Sequence, residues 1–122
     1  VGNELILENL SSLSVLGCEM WVRIPVVPGF NDSIEFHRAA STFLSNLPGR
    51  IRRVDLLPFH NWCQDKYSWM GIDWEYRDLE ALDPSFLEIP ADVYREKGFM
   101  ATIGGSGFEG YGDKQCRKAG TL

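Results

Sequence analysis

The chain has 122 residues, of which 44% are hydrophobic and 24% are charged, a composition typical of a globular domain with its own core. Its formal net charge of −5 argues against a nucleic-acid partner, because contacts to phosphate groups require a basic surface. No apolar run has the length needed to span a bilayer, and no signal-peptide pattern opens the sequence. We therefore expect a cytoplasmic protein without a membrane partner. Since the sequence opens at Val1 in the approach to a helix, we also expect it to be part of a longer polypeptide.

The cysteines are few and far apart. The chain has three, Cys18, Cys63 and Cys116, and an odd number at wide spacing argues against a disulfide framework. Their spacing also fits no local zinc or iron–sulfur motif. We predict reduced, unreactive thiols that hold no metal.

The first predicted elements are a helix and a strand. Apolar residues at helical spacing predict a helix over Glu4–Leu16, and Gly17 suits the left-handed position after a last turn. A strand is predicted over Glu19–Val27. Its alternation places Trp21 and Arg23 on one face and the apolar residues on the other, namely Met20, Val22, Ile24 and Val26.

A turn at Pro28-Gly29 leads into a second helix. Asp32 or Ser33 can cap this helix, and Glu35 follows Asp32 in capping-box register. An apolar stripe at helical spacing comes next, made of Phe36, Ala39, Ala40, Phe43, Leu44 and Leu47.

The second half of the chain is less regular. A second strand is predicted over Arg53–Phe59. A long segment over Asn61–Leu82 follows, and loops of that length are commonly functional or packed over a site. Aromatic side chains in this segment are expected to form a small core at the end of the sheet, the candidates being Trp62, Trp69 and Trp74.

The last predicted elements are an interrupted helix and a short strand. Asp83 begins the helix, Pro90 is expected to kink it or divide it in two, and Gly98 ends it. A strand over Phe99–Ile103 comes next. Residues 106–122 are glycine-rich and are predicted to be a flexible tail.

Helices and strands alternate along the chain, which indicates an α/β fold with parallel strands and right-handed crossovers. Three parallel strands are too few for a closed barrel, and parallel sheets are normally covered on both faces. The alternation therefore again favours a portion of a larger α/β protein.

Two of these strands are expected to end in an ionisable side chain, which would place both side chains at the carboxyl edge of the sheet. Arg23 interrupts an apolar run in the first strand, and His60 directly follows the second. Because a buried charge is costly without a partner, Arg23 is either a structural ion pair with Asp55 on the neighbouring strand or part of a site for an anionic or polar ligand. His60 is either a second site residue or a hydrogen-bonded loop residue.

Four stretches together carry a resemblance to a known family. They are Asn3-Glu4-Leu5-Ile6-Leu7-Glu8-Asn9-Leu10, then Trp21-Val22-Arg23-Ile24-Pro25-Val26-Val27-Pro28-Gly29-Phe30-Asn31-Asp32, then Leu56-Leu57-Pro58-Phe59-His60, and finally Lys66-Tyr67 with Met70-Gly71 and Tyr76. In this order they resemble the C-terminal part of the glycyl-radical-enzyme activating proteins, the radical S-adenosylmethionine (SAM) group that includes pyruvate formate-lyase activating enzyme. The resemblance covers about residues 3–105.

The resemblance implies the C-terminal portion of a partial (β/α)6 TIM-like barrel over residues 1–105. In such proteins a C-x3-C-x2-C loop holds a 4Fe–4S cluster, which cleaves SAM to a 5′-deoxyadenosyl radical. That radical removes a hydrogen atom from a glycine of a glycyl radical enzyme, and flavodoxin or ferredoxin supplies the electron. The motif is absent from these 122 residues, so we expect the piece alone to be inactive.

The resemblance also implies roles for individual residues. Arg23 would approach the SAM carboxylate or ribose, His60 would hydrogen-bond the ribose or adenine side, and Val26 would lie near the adenine. Lys66 and Tyr67, with the tryptophans around them, would shape the mouth where the partner's glycine loop enters.

Two other functions stay open at this point. One is a cluster-free α/β module that docks a partner enzyme without catalysis. The other is a cofactor-free enzyme that uses Arg23 and His60 as contacts to a phosphorylated metabolite. The sequence lacks a glycine-rich phosphate loop opening a helix, which disfavours the latter.

Overall fold

The secondary structure alternates as the sequence predicts. The structure is a computed structural model and describes residues 2–104. Its strands are β1 (Met20–Val26), β2 (Ile51–Pro58) and β3 (Ala101–Ile103). Its helices are α1 (Glu4–Val15), α2 (Ile34–Ser45), α3 (Gln64–Trp69) and α4 (Glu88–Glu96), and a short 3₁₀ helix over Pro84–Leu87 leads into α4. The predicted glycine-rich tail, residues 106–122, and Cys116 lie outside the described residues.

The three strands form one parallel sheet in the order β1-β2-β3. Val22 lies opposite Val54, and Val54 lies opposite Ala101. Spatial order follows chain order without a reversal, so right-handed crossovers bring the connecting helices to the same face of the sheet. This single winding direction is that of a barrel wall, whereas an open doubly wound sheet reverses at a switch point.

The hydrophobic core lies between the sheet and the helices. Its fully or nearly buried members are Val26, Leu44, Val54, Leu56, Leu87, Ala91, Tyr94 and Ala101. The even-numbered residues of β1 and β2 supply the sheet side of this core, as period-two alternation requires. Helix α1 contributes Leu10 at the margin of this core. In contrast, Ile6 and Val15 of α1 and Leu16 directly after it are exposed.

A close backbone contact fixes the end of α1. The N–H of Gly49 donates to the buried hydroxyl of Ser14 at 2.5 Å. A Cβ at residue 49 would lie 2.7 Å from the Ser14 carbonyl oxygen, closer than atoms pack. Glycine is therefore needed at this position for α1 to approach the loop between α2 and β2.

The predicted helix boundaries are confirmed with one refinement. Ser33, rather than Asp32, caps α2 by accepting a hydrogen bond from the Phe36 N–H at 3.2 Å. Asp32 instead accepts from the Gly29 N–H at 3.1 Å and braces the turn before the helix.

The interrupted helix of the second half is also as predicted. Asp83 caps the 3₁₀ helix by accepting from the Ser85 N–H at 2.8 Å. Pro90 lies in the first turn of α4, where its missing N–H costs no helical hydrogen bond. The helix therefore divides into two pieces rather than kinking.

Candidate functional site

The sheet face opposite the helices carries a group of polar side chains. We call this side the inner face and define it by Trp21 and Arg23 of β1, Arg53 and Asp55 of β2, and Thr102 of β3. Strand register places Arg23 beside Asp55 and Asp55 beside Thr102. Side chains that alternate with the core residues thus meet on the opposite side of the sheet.

Asp55 is the centre of the inner face. Its side chain is 0% exposed, and its Oδ1 accepts hydrogen bonds from the Arg53 Nε and, at 2.6 Å, from the Thr102 hydroxyl. Arg53 also donates through Nη2 to the Thr102 hydroxyl oxygen at 3.1 Å. A buried carboxylate is stable only with such partners, and these three side chains supply them to each other.

Arg53 is covered from the β1 side. Its guanidinium carbon lies 5.5 Å from the centre of the Trp21 ring, in a cation–π arrangement. The Arg53 side chain is 2% exposed, although it carries a charge. The carboxylate and the indole together make this burial tolerable.

Arg23 meets the same carboxylate from the open side. Its Nε lies 3.4 Å from Asp55 Oδ2, and its side chain is 49% exposed. The alternative that Arg23 pairs with Asp55 is therefore confirmed. Arg23 lies in the middle of β1 rather than at the end of the strand, about 10 Å before the carboxyl edge at a rise of ~3.3 Å per residue.

The other two predicted site residues lie elsewhere. Val26 is fully buried in the core on the helix side, and its carbonyl oxygen accepts from the Phe59 N–H at 3.1 Å. His60 is exposed beyond the end of β2, where its ring lies 4.3 Å from that of Trp62. The structure thus separates Arg23 on the inner face from His60 at the carboxyl edge.

Asn61 organises the segment that follows β2. Its Nδ2 lies within hydrogen-bond distance of the carbonyl oxygens of Tyr76, Arg77 and Leu79, at 2.8, 2.7 and 3.2 Å, so its two hydrogens are shared among three acceptors. Its Oδ1 accepts from the Trp74 indole N–H at 2.6 Å. One amide therefore ties the segment back to the sheet edge, and nothing in the local sequence pattern indicates it.

The predicted aromatic core at the sheet end is only partly correct. The Trp74 ring packs against Tyr67 and Tyr76 at centroid distances of 4.4 and 5.4 Å. Trp62 and Trp69, in contrast, are 84% and 85% exposed, so the prediction is wrong for these two. Trp69 is the last residue of α3, and Trp62 precedes that helix.

Some polar groups lie away from the inner face. His37 of α2 is fully buried, and its Nδ1 lies 2.9 Å from the Tyr94 hydroxyl of α4. Burial lowers the pKa of His37 below its ordinary value, although Asp32 acts in the opposite direction. No local pattern of α2 indicates this contact, because Tyr94 lies 57 positions from His37.

Residues 2–104 offer neither a metal-binding cluster nor a membrane-spanning helix. In this range no group of three or more His, Cys, Asp or Glu side chains could hold a metal ion. None of the helices described there is long and apolar enough to cross a membrane. Within the same range Cys18 and Cys63 are free thiols.

Comparison with known proteins relates these features to a family. No protein-family model matches the chain. It is 34% identical over 106 residues to the 4-hydroxyphenylacetate decarboxylase activating enzyme of Clostridioides difficile, a match that covers 85% of this chain and 33% of the relative. It is 32% identical to the benzylsuccinate synthase activating enzyme of Thauera aromatica, which covers 82% of this chain and 31% of that protein. It is also 32% identical to the pyruvate formate-lyase 2-activating enzyme of Escherichia coli, a match that covers 82% of this chain and 34% of that protein.

A solved structure supports the same relationship. A domain of pyruvate-formate lyase-activating enzyme from Bacteroides vulgatus superimposes with a TM-score of 0.67 at 25% identity, over 86% of this chain and 55% of that one. The parallel α/β architecture is therefore that of a partial TIM-like barrel, as predicted. The chain spans about a third of the length of the curated relatives it matches. It belongs to the family of glycyl-radical-enzyme activating proteins.

Proposed function

We propose that this chain is the C-terminal part of a radical SAM activase, in which the inner face lines the SAM site. The observation that carries the proposal is Arg23, a half-exposed guanidinium beside a buried carboxylate on the face of the sheet opposite the described helices. Similarity to activating enzymes supports SAM as the ligand that this guanidinium would meet.

The residues of the inner face fit SAM. A guanidinium matches a carboxylate because two parallel N–H groups meet two oxygens. Arg23 has its Nε turned to Asp55 and keeps half of its side chain accessible. The accessible part of the guanidinium would then contact the SAM carboxylate, or the ribose hydroxyls if the ligand sits deeper.

The carboxyl edge would hold the nucleoside half of the ligand. His60 is exposed there and stacked near Trp62, and it would hydrogen-bond the ribose or adenine. Val26 would contribute only backbone groups near the adenine, because its side chain lies in the core. Barrel enzymes place their active sites at this end of the strands.

The remaining parts of the chemistry lie outside this chain. The cluster, when bound, would supply one electron for cleavage of SAM to methionine and a 5′-deoxyadenosyl radical, which would take a hydrogen atom from the partner's glycine and become 5′-deoxyadenosine. We propose that a C-x3-C-x2-C segment elsewhere in the protein binds the cluster, with flavodoxin or ferredoxin as electron donor in the cytoplasm. The residues described here would bind and orient SAM.

The partner would approach over the exposed tryptophans. Trp62 and Trp69 project from the segment after β2, and large exposed aromatic side chains are common anchors of protein interfaces. This segment lies at the same end of the sheet as His60, so a glycine loop docked there would enter next to the SAM site.

SAM binding by the full-length protein tests the proposal. We expect Arg23→Ala to weaken binding by about 10- to 100-fold, the usual loss for a hydrogen bond to a charged group. Arg77→Ala is the matched control, because Arg77 is an exposed arginine that pairs with Asp73 and lies in a different part of the chain from Arg23. Unchanged SAM affinity in Arg23→Ala would contradict the proposed site. A protein that binds a glycyl radical enzyme but no SAM would instead be the cluster-free docking module.

A further inference from the structure

Asp55 has a feature that SAM binding by Arg23 alone does not explain. Its Oδ1 is shared by Arg53 and Thr102, whereas its Oδ2 is buried and has no hydrogen bond among the described residues. The Arg23 Nε lies 3.4 Å from that oxygen. This is within ion-pair range but longer than a charge-assisted hydrogen bond, which is typically ~2.7–2.9 Å.

The carboxylate itself is held in a fixed orientation. Arg53 and Thr102 contact it from its own strand and from β3, and Trp21 covers Arg53 from β1. All three strands therefore contribute to the position of one carboxylate. Side chains locked by packing and hydrogen bonds are the means by which proteins preorganise a neighbouring functional group.

We propose that Asp55 is a positioning residue for Arg23: its fixed Oδ2 directs the Arg23 Nε toward the sheet and thereby turns the outer N–H groups toward a ligand anion. Arg53 and Thr102 take part indirectly, because they set the direction of the carboxylate. This inference rests on the proposed role of Arg23 in SAM binding. Asp55 itself does not contact the ligand in this proposal.

The charges of the inner face agree with this role. Two guanidinium groups, those of Arg23 and Arg53, meet one carboxylate on this face. Arg53 is buried with Asp55, whereas Arg23 is half exposed, so a ligand anion would reach Arg23 and not Arg53.

The test is a double-mutant cycle in SAM binding, measured by titration of the full-length, cluster-loaded protein. We expect Asp55→Asn to weaken SAM binding by about 5- to 20-fold, a range comparable to couplings between contacting residues. In the Arg23→Ala background the same substitution should have no further effect. Asp73→Asn, which removes an exposed carboxylate paired with Arg77, is the control and should leave binding unchanged.

The cycle separates the two claims. If Arg23→Ala has no effect, the proposed function fails and the positioning role fails with it. If Arg23→Ala weakens binding and Asp55→Asn does not, or if their effects simply add, only the positioning role is overturned. Non-additive losses support both, because a general structural defect would weaken binding in either background.

A second variant covers the case in which Asp55→Asn does not fold. Thr102→Val keeps the shape of the side chain and removes the hydroxyl that donates to Asp55 Oδ1. We expect a 2- to 5-fold weaker SAM affinity with an unchanged circular dichroism spectrum, again only when Arg23 is present. The same loss without Arg23 would overturn the inference.

Discussion

The two faces of the sheet stabilise their buried polar groups in different ways. On the helix side, His37 and Tyr94 are both fully buried and share one neutral hydrogen bond of 2.9 Å. On the inner face, Asp55 is buried as a charge between two arginines of very different exposure. Both side chains of the His37–Tyr94 pair are closed to solvent. The inner face keeps half of Arg23 accessible, as a binding surface requires.

This difference in exposure indicates which residues can be substituted to change ligand binding without a large loss of stability. A residue in a closed network cannot be changed without loss of folding free energy, because its partners are left buried and unpaired. A half-exposed residue at the margin of such a network can be changed at small cost. On this view Arg53 serves the fold and Arg23 serves the ligand, although both contact the same carboxylate.

The two arginines give the largest expected contrast. Arg53→Met would leave the Asp55 carboxylate without its buried partner, and we expect a loss of about 3–5 kcal/mol in the free energy of unfolding. Arg23→Met should cost less than about 1 kcal/mol, because water screens a pair that is half exposed. Urea unfolding of the two variants measures both values. Equal losses of unfolding free energy in the two variants would show that Arg53 and Arg23 contribute equally to stability, which contradicts this division of roles.

On the helix side the expected effect is smaller. Tyr94→Phe removes the hydroxyl that meets His37 Nδ1, while the aromatic ring that fills the core stays in place. Because His37 Nε2 also lacks a partner among the described residues, the imidazole would lose its hydrogen bond. We expect a loss of about 1–2 kcal/mol in urea unfolding. A loss as large as that of Arg53→Met would contradict the contrast between the faces.

The pH dependence of stability should also come from the helix side. Burial holds the pKa of His37 in the folded chain below its ordinary value of 6.5, so the unfolded chain binds the proton more readily. His37 thus supports full stability above pH 6.5, and that support is lost as the pH falls below this value.

The measurement is the free energy of unfolding across this range, with His37→Phe as the comparison. We expect the wild-type value to fall with decreasing pH more steeply than that of the variant. Hydrogen bonds from Ser85 lower the pKa of Asp83 from its ordinary value of 3.8. Asp83 therefore titrates in a more acidic range and does not interfere with this measurement. Parallel curves for the two proteins would show that His37 is not the group responsible.

The smallest effect on stability is expected at the exposed tryptophans. Trp62→Ala and Trp69→Ala should change the free energy of unfolding by less than about 0.5 kcal/mol, as surface substitutions usually do. Trp74→Ala, the matched control, should cost several times more because Trp74 packs against Tyr67 and Tyr76. If Trp62 and Trp69 anchor the partner, their substitution should still weaken binding of a glycyl radical enzyme in a pull-down titration.

Much of the fold could be predicted from local signals. Gly17 and Gly98 both adopt positive φ at helix ends, and the position of Pro90 indicated the division of the last helix. Alternation in β1 predicted that Trp21 and Arg23 share a face. The pairing of Arg23 with Asp55 followed from placing the two strands side by side.

The missed features all depend on contacts between distant residues. His37 and Tyr94 are 57 positions apart, and Arg53 reaches Thr102 across 49. Local patterns do not contain the register of β2 against β3, so the burial of Arg53 could not be read from them. Asn61 likewise acts on carbonyls 15 to 18 residues away, a set of contacts that only the folded loop defines.

The most direct test of the account is whether the full-length protein generates a glycyl radical. The reduced, cluster-loaded protein would be mixed with SAM and a glycyl radical enzyme, and the radical would be followed by electron paramagnetic resonance. We predict a glycyl radical signal with the wild-type protein, a strongly reduced signal with Arg23→Ala, and a wild-type signal with Arg77→Ala. Radical formation that is indifferent to Arg23 would contradict the assignment of the inner face as the SAM site.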